Sequence, residues 1–493
     1  MARLHEVHSN ARPTAYLIGV PTHRITDEEN NSSLDELARL VHTLGYDVIG
    51  RTSQRRSGTG GAFVLGEGKI VQLAKLTGGP GVVASGSLVP HENNPKRKKA
   101  ANWDKKDVED IEDDEDFIDD DLAETDFAET GDDVTADASL SDAGAADEGL
   151  GGKAPDVLVF DLELTPSQMR NLERSMGIDV LDRTGVIIEI FSRHAKTRAA
   201  RLQVEIAKLT YQAPRIRETG GSGERQGSSR GAGESSVELD RRKIRDRIKE
   251  LKQEFASIDS EHETRRNRRS DLRTVALVGY TNAGKSSMMR ALTGSEVYVA
   301  DKLFATLDTT VRPIYPQVRP QILISDTVGF IKKLPHDLVA SFKSTLDEAL
   351  NASLLLFVVD ASDPSFRAQL EVTKTTLKEV GVTDEIPQLL VLNKSDKLDL
   401  EQKLALGREF PEAMIVSTRE PDDLERLRDK FILFFEGEMV DEELFIPYGG
   451  QSPIGEIRAQ MKVLSEDYDN GGVKVVVRAT REALNRLRAR YQI

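Results

Sequence analysis

The 493-residue chain contains no cysteine, which excludes disulfide bonds and thiolate metal sites. Its eight histidines are scattered, without the His-Glu-x-x-His spacing that is typical of a catalytic metal site. No apolar run reaches about 18 residues, the length that a membrane-spanning helix needs. These absences predict a cytoplasmic protein that has no membrane span and no histidine or cysteine metal centre.

The net charge of −16 comes from one segment of the chain. Residues 104–148 contain 21 Asp or Glu and two Lys, a balance of −19, so removing this segment leaves +3 for the rest. Low hydrophobicity and high charge predict that residues 88–153 form a disordered acidic insertion. A solvated surface insertion and an acidic mimic of nucleic acid that masks a basic surface both remain open.

The most informative pattern is a phosphate loop. An apolar run at residues 275–278 precedes a G-x-x-x-x-G-K-S sequence, and a helix-like run follows it. Glycines let backbone N–H groups curl around phosphates, Lys285 reaches the outer phosphates, and the hydroxyl of Ser286 is a candidate Mg²⁺ ligand. The predicted phosphate-binding residues are Gly279, Tyr280, Thr281, Asn282, Ala283, Gly284, Lys285, Ser286 and Ser287.

Two later motifs, each at the end of an apolar strand, complete a guanine-nucleotide site. In Asp326-Thr327-Val328-Gly329, Asp326 supplies a carboxylate for the metal and Gly329 can swing toward a γ-phosphate. In Asn393-Lys394-Ser395-Asp396, Asp396 can accept hydrogen bonds from guanine N1 and N2, a donor pair that adenine lacks. Lys394 is expected along the base plane. The loop expected to close over the base contains Ser417, Thr418 and Arg419.

The segment between these motifs should hold switch I, the loop that closes on Mg²⁺ and the γ-phosphate. It offers Thr306, Thr309 and Thr310, and spacing alone does not choose among them. Phe330 occupies the position directly after Gly329, where many GTPases carry a water-orienting glutamine. We therefore expect slow intrinsic hydrolysis that a partner or an ion accelerates. Asn282 either helps to hold a monovalent cation such as K⁺ or caps the turn.

Alternating strand and helix patterns predict an α/β protein of several domains. We expect an N-terminal tail at 1–13, an α/β domain at 14–195 that contains the acidic insertion, a two-helix stalk at 196–272, a doubly wound GTP-binding domain at 273–437, and a small α/β domain at 438–493. Within the first domain, strands are expected at 62–65 and 81–85, among others. Gly66-Glu67-Gly68-Lys69 is interpreted as a plain helix entry.

The stalk is predicted from a heptad seam. Ile244, Ile248, Leu251, Phe255 and Ile258 step by four and three residues, which is typical of an antiparallel helix hairpin. Its tip, residues 214–237, is rich in Gly, Ser and Arg. A flexible Arg/Gly loop on a rigid stalk suits contact with an RNA backbone, whereas a solvated hairpin tip is the alternative.

The chain resembles the bacterial HflX GTPases. Besides the phosphate loop, the resemblance rests on Leu303-Phe304-Ala305-Thr306-Leu307-Asp308, Asp326-Thr327-Val328-Gly329-Phe330-Ile331, Leu334-Pro335-His336, Asn171-Leu172-Glu173-Arg174, Asp182-Arg183-Thr184-Gly185, Leu202-Gln203-Val204-Glu205, and Gly233-Glu234 with Glu238, Asp240, Arg241 and Arg242. It covers most of the chain outside residues 88–153. The acidic insertion and the Ser222, Ser228 and Ser229 that interrupt the glycine loop depart from the family pattern.

The resemblance implies a GTPase, slow on its own, that binds the large ribosomal subunit and its RNA and uses GTP to split or rescue ribosomes. It implies that Thr306 is the switch I metal ligand, so the expected catalytic groups are Lys285, Thr306 and Gly329 and the metal ligands are Ser286, Thr306 and Asp326. We expect a monomer. The alternative function is a GTP-gated RNA-binding scaffold in ribosome assembly, and a metabolic P-loop kinase is disfavoured by Asn393 and Asp396.

Overall fold

The computed structural model describes residues 12–81, 154–216, 236–267, 272–294, 303–304, 306–307, 309–333, 348–383, 385–437, 439–448 and 452–491. The predictions for the acidic insertion, for most of the Arg/Gly loop, for nearly all of the strand at 81–85 and for most of a helix at 340–350 lie outside these residues. Within them, the protein is a mixed α/β fold with three separate sheets.

The first sheet is parallel, with the order β2-β1-β3-β4. Its strands are β1 (Thr14–Gly19), β2 (Asp47–Ser53), β3 (Val157–Phe160) and β4 (Asp179–Asp182), and its helices are α1 (Asp27–Thr43), α2 (Glu67–Thr77), α3 (Pro166–Met176) and α4 (Arg183–His194). β1 is buried throughout, with Ala15 and Leu17 in a core that includes α1 and α4, and Tyr16 and Ile18 in a core that includes α2 and α3. Helices therefore cover both faces, as expected for a parallel sheet.

The strand expected at 62–65 is wrong. These residues form bends that lead into Gly66, the N-cap of α2. Val64 and Leu65 are buried beneath that helix entry, so their apolar character reflects core packing and not strand pairing.

Two long helices pack side by side in opposite directions: α5 (Arg198–Gln212) and α6 (Ser236–Asn267). Arg198 contacts Glu254 and Arg247 contacts Glu205, so the early part of one helix lies beside the late part of the other. Between them lies a small apolar cluster made of Leu202, Ile206, Leu209, Ile248, Leu251, Phe255 and Ile258.

The second sheet has the order β10-β9-β8-β5-β7-β6, and only its edge strand β6 runs antiparallel. Its strands are β5 (Arg273–Val278), β6 (Thr310–Pro313), β7 (Ile322–Asp326), β8 (Leu354–Asp360), β9 (Gln388–Asn393) and β10 (Met414–Ile415); its helices are α7 (Lys285–Thr293), α8 (Phe366–Val380), α9 (Leu400–Glu409) and α10 (Pro421–Glu436). The central strands β5, β7 and β8 are almost entirely buried. Parallel order brings the carboxyl ends of β5, β7, β8 and β9 to one edge, where ligands bind in such sheets.

The third sheet is antiparallel, with the order β11-β13-β12. It contains β11 (Val440–Pro447), β12 (Lys462–Asp469) and β13 (Gly472–Ala479), accompanied by α11 (Ile454–Gln460) and α12 (Arg481–Tyr491). Among the described residues, no helix combines the length and the apolar character needed to cross a membrane.

Candidate nucleotide-binding site

The phosphate loop connects β5 to α7 and contains two backbone positions that demand glycine. Gly279 has φ +154° and Gly284 has φ +96°. A Cβ on Gly284 would lie 2.3 Å from Asn393 Nδ2, and one on Gly279 would lie 2.2 Å from the carbonyl oxygen of Val358. Both glycines therefore serve close backbone approach as well as loop curvature. Lys285 Nζ donates to the carbonyls of Gly279 at 2.9 Å and Tyr280 at 2.7 Å.

Three side-chain oxygens from separate segments meet at the start of α7. Ser286 Oγ donates to Asp326 Oδ2 at 2.6 Å, Thr306 Oγ1 donates to the same oxygen at 3.1 Å, and the two hydroxyls lie 2.8 Å apart. Asp326 Oδ1 is buried and has no hydrogen-bond partner among the described residues. Hydroxyl and carboxylate oxygens in this arrangement fit Mg²⁺, a hard cation that takes oxygen ligands.

The pKa shifts of Asp326 and Lys285 also favour a site that binds a cation and phosphates. Burial raises the pKa of the Asp326 carboxyl, although Lys285 and the two hydroxyls oppose the shift. Burial also lowers the pKa of Lys285 to about 8, although Asp326 opposes that shift. Each group thus lacks full compensation for its charge inside the protein. A divalent cation beside Asp326 and phosphates beside Lys285 would provide that compensation.

The base-recognition segment is bonded to the phosphate loop. Asn393 Nδ2 donates to the carbonyl of Ala283 at 2.8 Å, and Lys394 Nζ donates to the carbonyl of Asn282 at 2.8 Å. Lys394 also pairs with Asp360 at 2.7 Å. The αL conformation of Lys394, with φ +61°, turns the chain out of β9 toward the site.

Asp396 is held by the loop after β10. Ser417 Oγ donates to Asp396 Oδ1 at 2.7 Å, and Arg419 Nη1 donates to Asp396 Oδ2 at 3.1 Å. The hydrogen bond from Ser417 is the main cause that lowers the pKa of Asp396; burial opposes it and Arg419 reinforces it. The carboxylate is therefore ionised at neutral pH and can accept hydrogen bonds from two N–H groups.

These segments enclose a cavity of about 320 Å³. Its lining consists of Thr281, Asn282, Gly284, Lys285, Ser286, Ser287, Phe304, Thr306, Thr327, Gly329, Asn393, Lys394, Asp396, Lys397, Thr418 and Arg419. Five predicted site residues lie behind this lining and support it: Gly279, Tyr280, Ala283, Asp326 and Ser417. Of the three threonines, Thr306 is the one bonded to Asp326, whereas Thr310 begins β6.

Phe330 does not face the cavity. Only 2% of its surface is exposed, and its ring belongs to an apolar cluster that also contains Leu303, Phe304 and Ile331. Its backbone pairs with the phosphate loop: Phe330 N–H donates to the Gly279 carbonyl at 3.1 Å, and Thr281 N–H donates to the Phe330 carbonyl at 2.8 Å. This side chain therefore orients no water in the observed conformation.

The sequence does not predict the polar residues that pack behind the phosphate loop. The Tyr280 hydroxyl bonds to Glu36 and to the backbone of Lys332, and Arg183 reaches the same place. Asp182-Arg183-Thr184-Gly185 carries part of the family resemblance, but its sequence does not indicate this contact. A buried-charge role for Arg183 has no local signature, because its partners are 22 to 149 residues away in sequence.

A phosphate loop at the central strand of a doubly wound sheet, a Ser–Thr–Asp oxygen set and an Asn-Lys-x-Asp base segment define a P-loop guanine-nucleotide-binding protein. Three family descriptions match the chain: "GTP-binding GTPase N-terminal" at residues 31–95 and 146–192, "GTP-binding GTPase Middle Region" at 194–269, and "50S ribosome-binding GTPase" at 274–394.

Whole-chain relatives agree with these matches. The chain is 52% identical over 476 residues to a GTPase HflX of Gluconacetobacter diazotrophicus, covering 97% of both chains. It is 32% identical over 471 residues to a GTPase HflX of Caldanaerobacter subterraneus, covering 94% of this chain and 91% of the relative. The chain therefore belongs to the HflX family of GTPases, and the resemblance noted from its motifs is confirmed. A GTP-binding protein from Sulfolobus solfataricus, solved with GDP, is similar at 22% identity and a TM-score of 0.39, covering 85% of this chain and 98% of that structure.

Proposed function

We propose that this GTPase binds the large ribosomal subunit and uses GTP binding and hydrolysis to drive and time the splitting or rescue of ribosomes. One observation carries the proposal: the domain that contains the converging Ser286, Thr306 and Asp326 oxygens is the one that matches a family described as 50S ribosome-binding GTPases. A switch I threonine that lies at the metal position can couple loop conformation to the bound γ-phosphate, which suits the timing of an association.

In this proposal, Lys285 and the phosphate-loop N–H groups bind the phosphates, and Gly329 approaches the γ-phosphate. Ser286, Thr306 and Asp326 would hold Mg²⁺, which neutralises charge between the outer phosphates. Asp396 selects guanine, with Thr418 and Arg419 beside it at the rim of the cavity. Because Phe330 is buried, we expect the ribosome to supply what a glutamine supplies elsewhere.

The helix pair is proposed to be a stalk that carries RNA-contacting residues. The end of its first helix is fixed by side-chain contacts. Arg215 lies 3.6 Å over the Tyr211 ring and also donates a hydrogen bond to Asp182. The Tyr211 hydroxyl donates to Asp182 Oδ1 at 2.7 Å. A basic loop that starts from such a fixed helix end can be directed to one place on an RNA surface.

Asn282 supports a proposal that K⁺ accelerates turnover. It has φ +60°, its side chain lines the cavity, and no side-chain hydrogen bond forms with the described residues. A turn cap would make such a bond, so the capping interpretation loses support. The amide oxygen is free to bind a cation beside the phosphates.

The deciding experiment is GTP turnover by the purified protein, alone and with purified large subunits. An Asp396→Asn variant is the control, tested with GTP and with XTP, because an amide pairs with the 2-oxo group of xanthine where a carboxylate pairs with the amino group of guanine. We expect stimulation by the large subunit, loss of GTP turnover in Asp396→Asn and recovery with XTP. Turnover indifferent to ribosomes, with protein still sedimenting with the large subunit, would favour a GTP-gated RNA-binding scaffold.

A further inference from the structure

Tyr280 connects the nucleotide site to the N-terminal sheet. Its side chain is buried; the hydroxyl donates to Glu36 on α1 and accepts a hydrogen bond from the Lys332 N–H at 2.7 Å. Tyr280 belongs to the phosphate loop, and Lys332 lies three residues after Gly329. One hydroxyl thus joins the phosphate loop, the segment after Gly329 (switch II) and α1.

A second buried group reinforces this junction. The Arg183 side chain is only 2% exposed, yet it carries a full charge. It donates to Glu36 at 2.5 Å, to Asp161 at 2.7 Å and to the carbonyl of Lys332 at 3.0 Å. Lys333 Nζ then donates to Asp161 Oδ2 at 2.9 Å. Two carboxylates and two cations are therefore linked by charge-assisted hydrogen bonds, and only Nε of Arg183 lacks a partner among the described residues, so the geometry of this network is strongly specified.

Switch I also contacts the N-terminal unit, which consists of the first sheet (β1–β4) and its helices α1–α4. The ring of Phe304, two residues before Thr306, packs edge-on against Phe191 of α4 with 4.6 Å between ring centroids and 82° between planes. Phe304 also lines the nucleotide cavity. The apolar cluster around it includes residues of both units, among them Phe191, Phe330 and Ile331.

These contacts coexist with closed switches. Thr306 lies against Asp326 at 3.1 Å, at the metal position. A Cβ placed on Gly329 would lie 3.0 Å from Lys285 Nζ, so switch II lies directly beside the group that holds the outer phosphates. The N-terminal unit therefore contacts both switches in the arrangement that a γ-phosphate and its metal favour.

We propose that Glu36 and Arg183 are positioning residues for GTP hydrolysis: acting through Tyr280 and Lys332, they hold switch II closed beside Lys285, and Phe191 does the same for switch I through Phe304. A contact made only in the closed state stabilises that state, so docking of the N-terminal unit and binding of the γ-phosphate promote each other. GDP lacks the γ-phosphate and is indifferent to the contact. The proposal rests on GTP binding by this site and not on the ribosome.

The test compares Glu36→Gln and Phe191→Leu with the unmodified full-length protein, in the absence of ribosomes. Glu36→Gln keeps the side-chain size but puts an N–H donor where Tyr280 or Arg183 donates. Phe191→Leu keeps an apolar group but removes the edge-on contact. Arg51→Ala is the matched control, because its ion pair with Asp35 lies on the same unit and is half exposed. Thermal unfolding checks that each variant folds.

We expect both variants to bind a non-hydrolysable GTP analogue about 5–10-fold more weakly, a typical coupling between two sites. GDP affinity should stay within about twofold, and single-turnover hydrolysis should slow, while Arg51→Ala matches the unmodified protein in all three. Amide exchange should show the reciprocal effect: the analogue, but not GDP, protects the peptides around Arg183 and Lys332. An equal loss of affinity for GDP and for the GTP analogue would overturn the proposal. Tighter binding of the analogue or faster hydrolysis would also overturn it, because the contact would then oppose closure of the switches.

Discussion

The side-chain amide of Asn393 donates a 2.8 Å hydrogen bond to the carbonyl of Ala283, so the base-recognition segment and the phosphate loop are joined. The next residue, Gly284, has no room for a side chain, because a Cβ would lie 2.3 Å from Asn393 Nδ2. The two motifs therefore form one structural unit, and damage to either should reach both ends of the nucleotide.

Gly284→Ala tests that unit. The substitution adds a clash with Asn393 and a strained left-handed residue, which alone costs about 1–2 kcal/mol. We expect GTP and GDP to bind at least about tenfold more weakly, since about 1.4 kcal/mol corresponds to a factor of ten. Titration calorimetry with each nucleotide measures this.

Gly407→Ala is the matched control for that experiment. Gly407 lies inside α9, and its nearest neighbour to an added Cβ is Ile415 at 4.0 Å. Alanine should be neutral or stabilise the helix by up to about 1 kcal/mol. Equal nucleotide affinity for Gly284→Ala and Gly407→Ala would show that Gly284 is not required.

Thr306→Ala should separate the metal-binding threonine from its neighbours. The hydroxyl that faces Asp326 is lost, so we expect the Mg²⁺ concentration for half-maximal GTP turnover to rise and the maximal rate to fall about 10-fold or more. Thr309→Ala is the control, because Thr309 makes no hydrogen bond with the described residues. A stronger effect of Thr309→Ala than of Thr306→Ala would show that Thr309, and not Thr306, makes the metal contact.

Potassium dependence tests Asn282. We expect GTP turnover to be faster in K⁺ than in Na⁺ at equal ionic strength, and Asn282→Ala to abolish the difference. The physical reason is that Asn282 lines the cavity and its side chain makes no hydrogen bond with the described residues, so its amide oxygen can bind a cation. Identical rates in the two salts for the unmodified protein would remove this role.

Leu251→Ala tests the helix pair. Leu251 is fully buried between α5 and α6, so its truncation should lower the local unfolding free energy by about 2–4 kcal/mol. Leu239→Ala, on the same helix but 43% exposed, should change it by less than about 0.5 kcal/mol. Amide exchange across both helices measures the difference. If the two variants are alike, packing at Leu251 does not hold the pair together.

Local signals were enough to predict which residues meet at one edge of the second sheet. The phosphate loop, Asp326-to-Gly329 and Asn393-to-Asp396 each follow a buried strand, and parallel strands bring their carboxyl ends together regardless of loop length. The heptad spacing around Leu251 likewise predicted packing between two helices. In each case the residues that determine the feature lie close together in the sequence.

Features that depend on distant partners were not predictable. Tyr280 and Glu36 are 244 residues apart, and nothing around either residue indicates the hydrogen bond between them. The sequence does not predict β11, because three consecutive acidic residues, Asp441, Glu442 and Glu443, hide the alternation of buried and exposed positions. The error at 62–65 has the opposite cause: apolar residues were buried without strand pairing.

The pairing of β3 with β1 has a consequence for how this chain can change over time. The described chain passes through β2 and α2 to residue 81 and resumes at residue 154, just before β3, which lies about 4.8 Å from β1 in the same sheet. Closing a loop grows costlier only with the logarithm of its length, by about 0.6 kcal/mol for each doubling. Descendants of this gene can therefore lengthen, shorten or exchange that stretch almost without thermodynamic penalty, while the switch contacts on α1 and α4 constrain the surrounding scaffold closely.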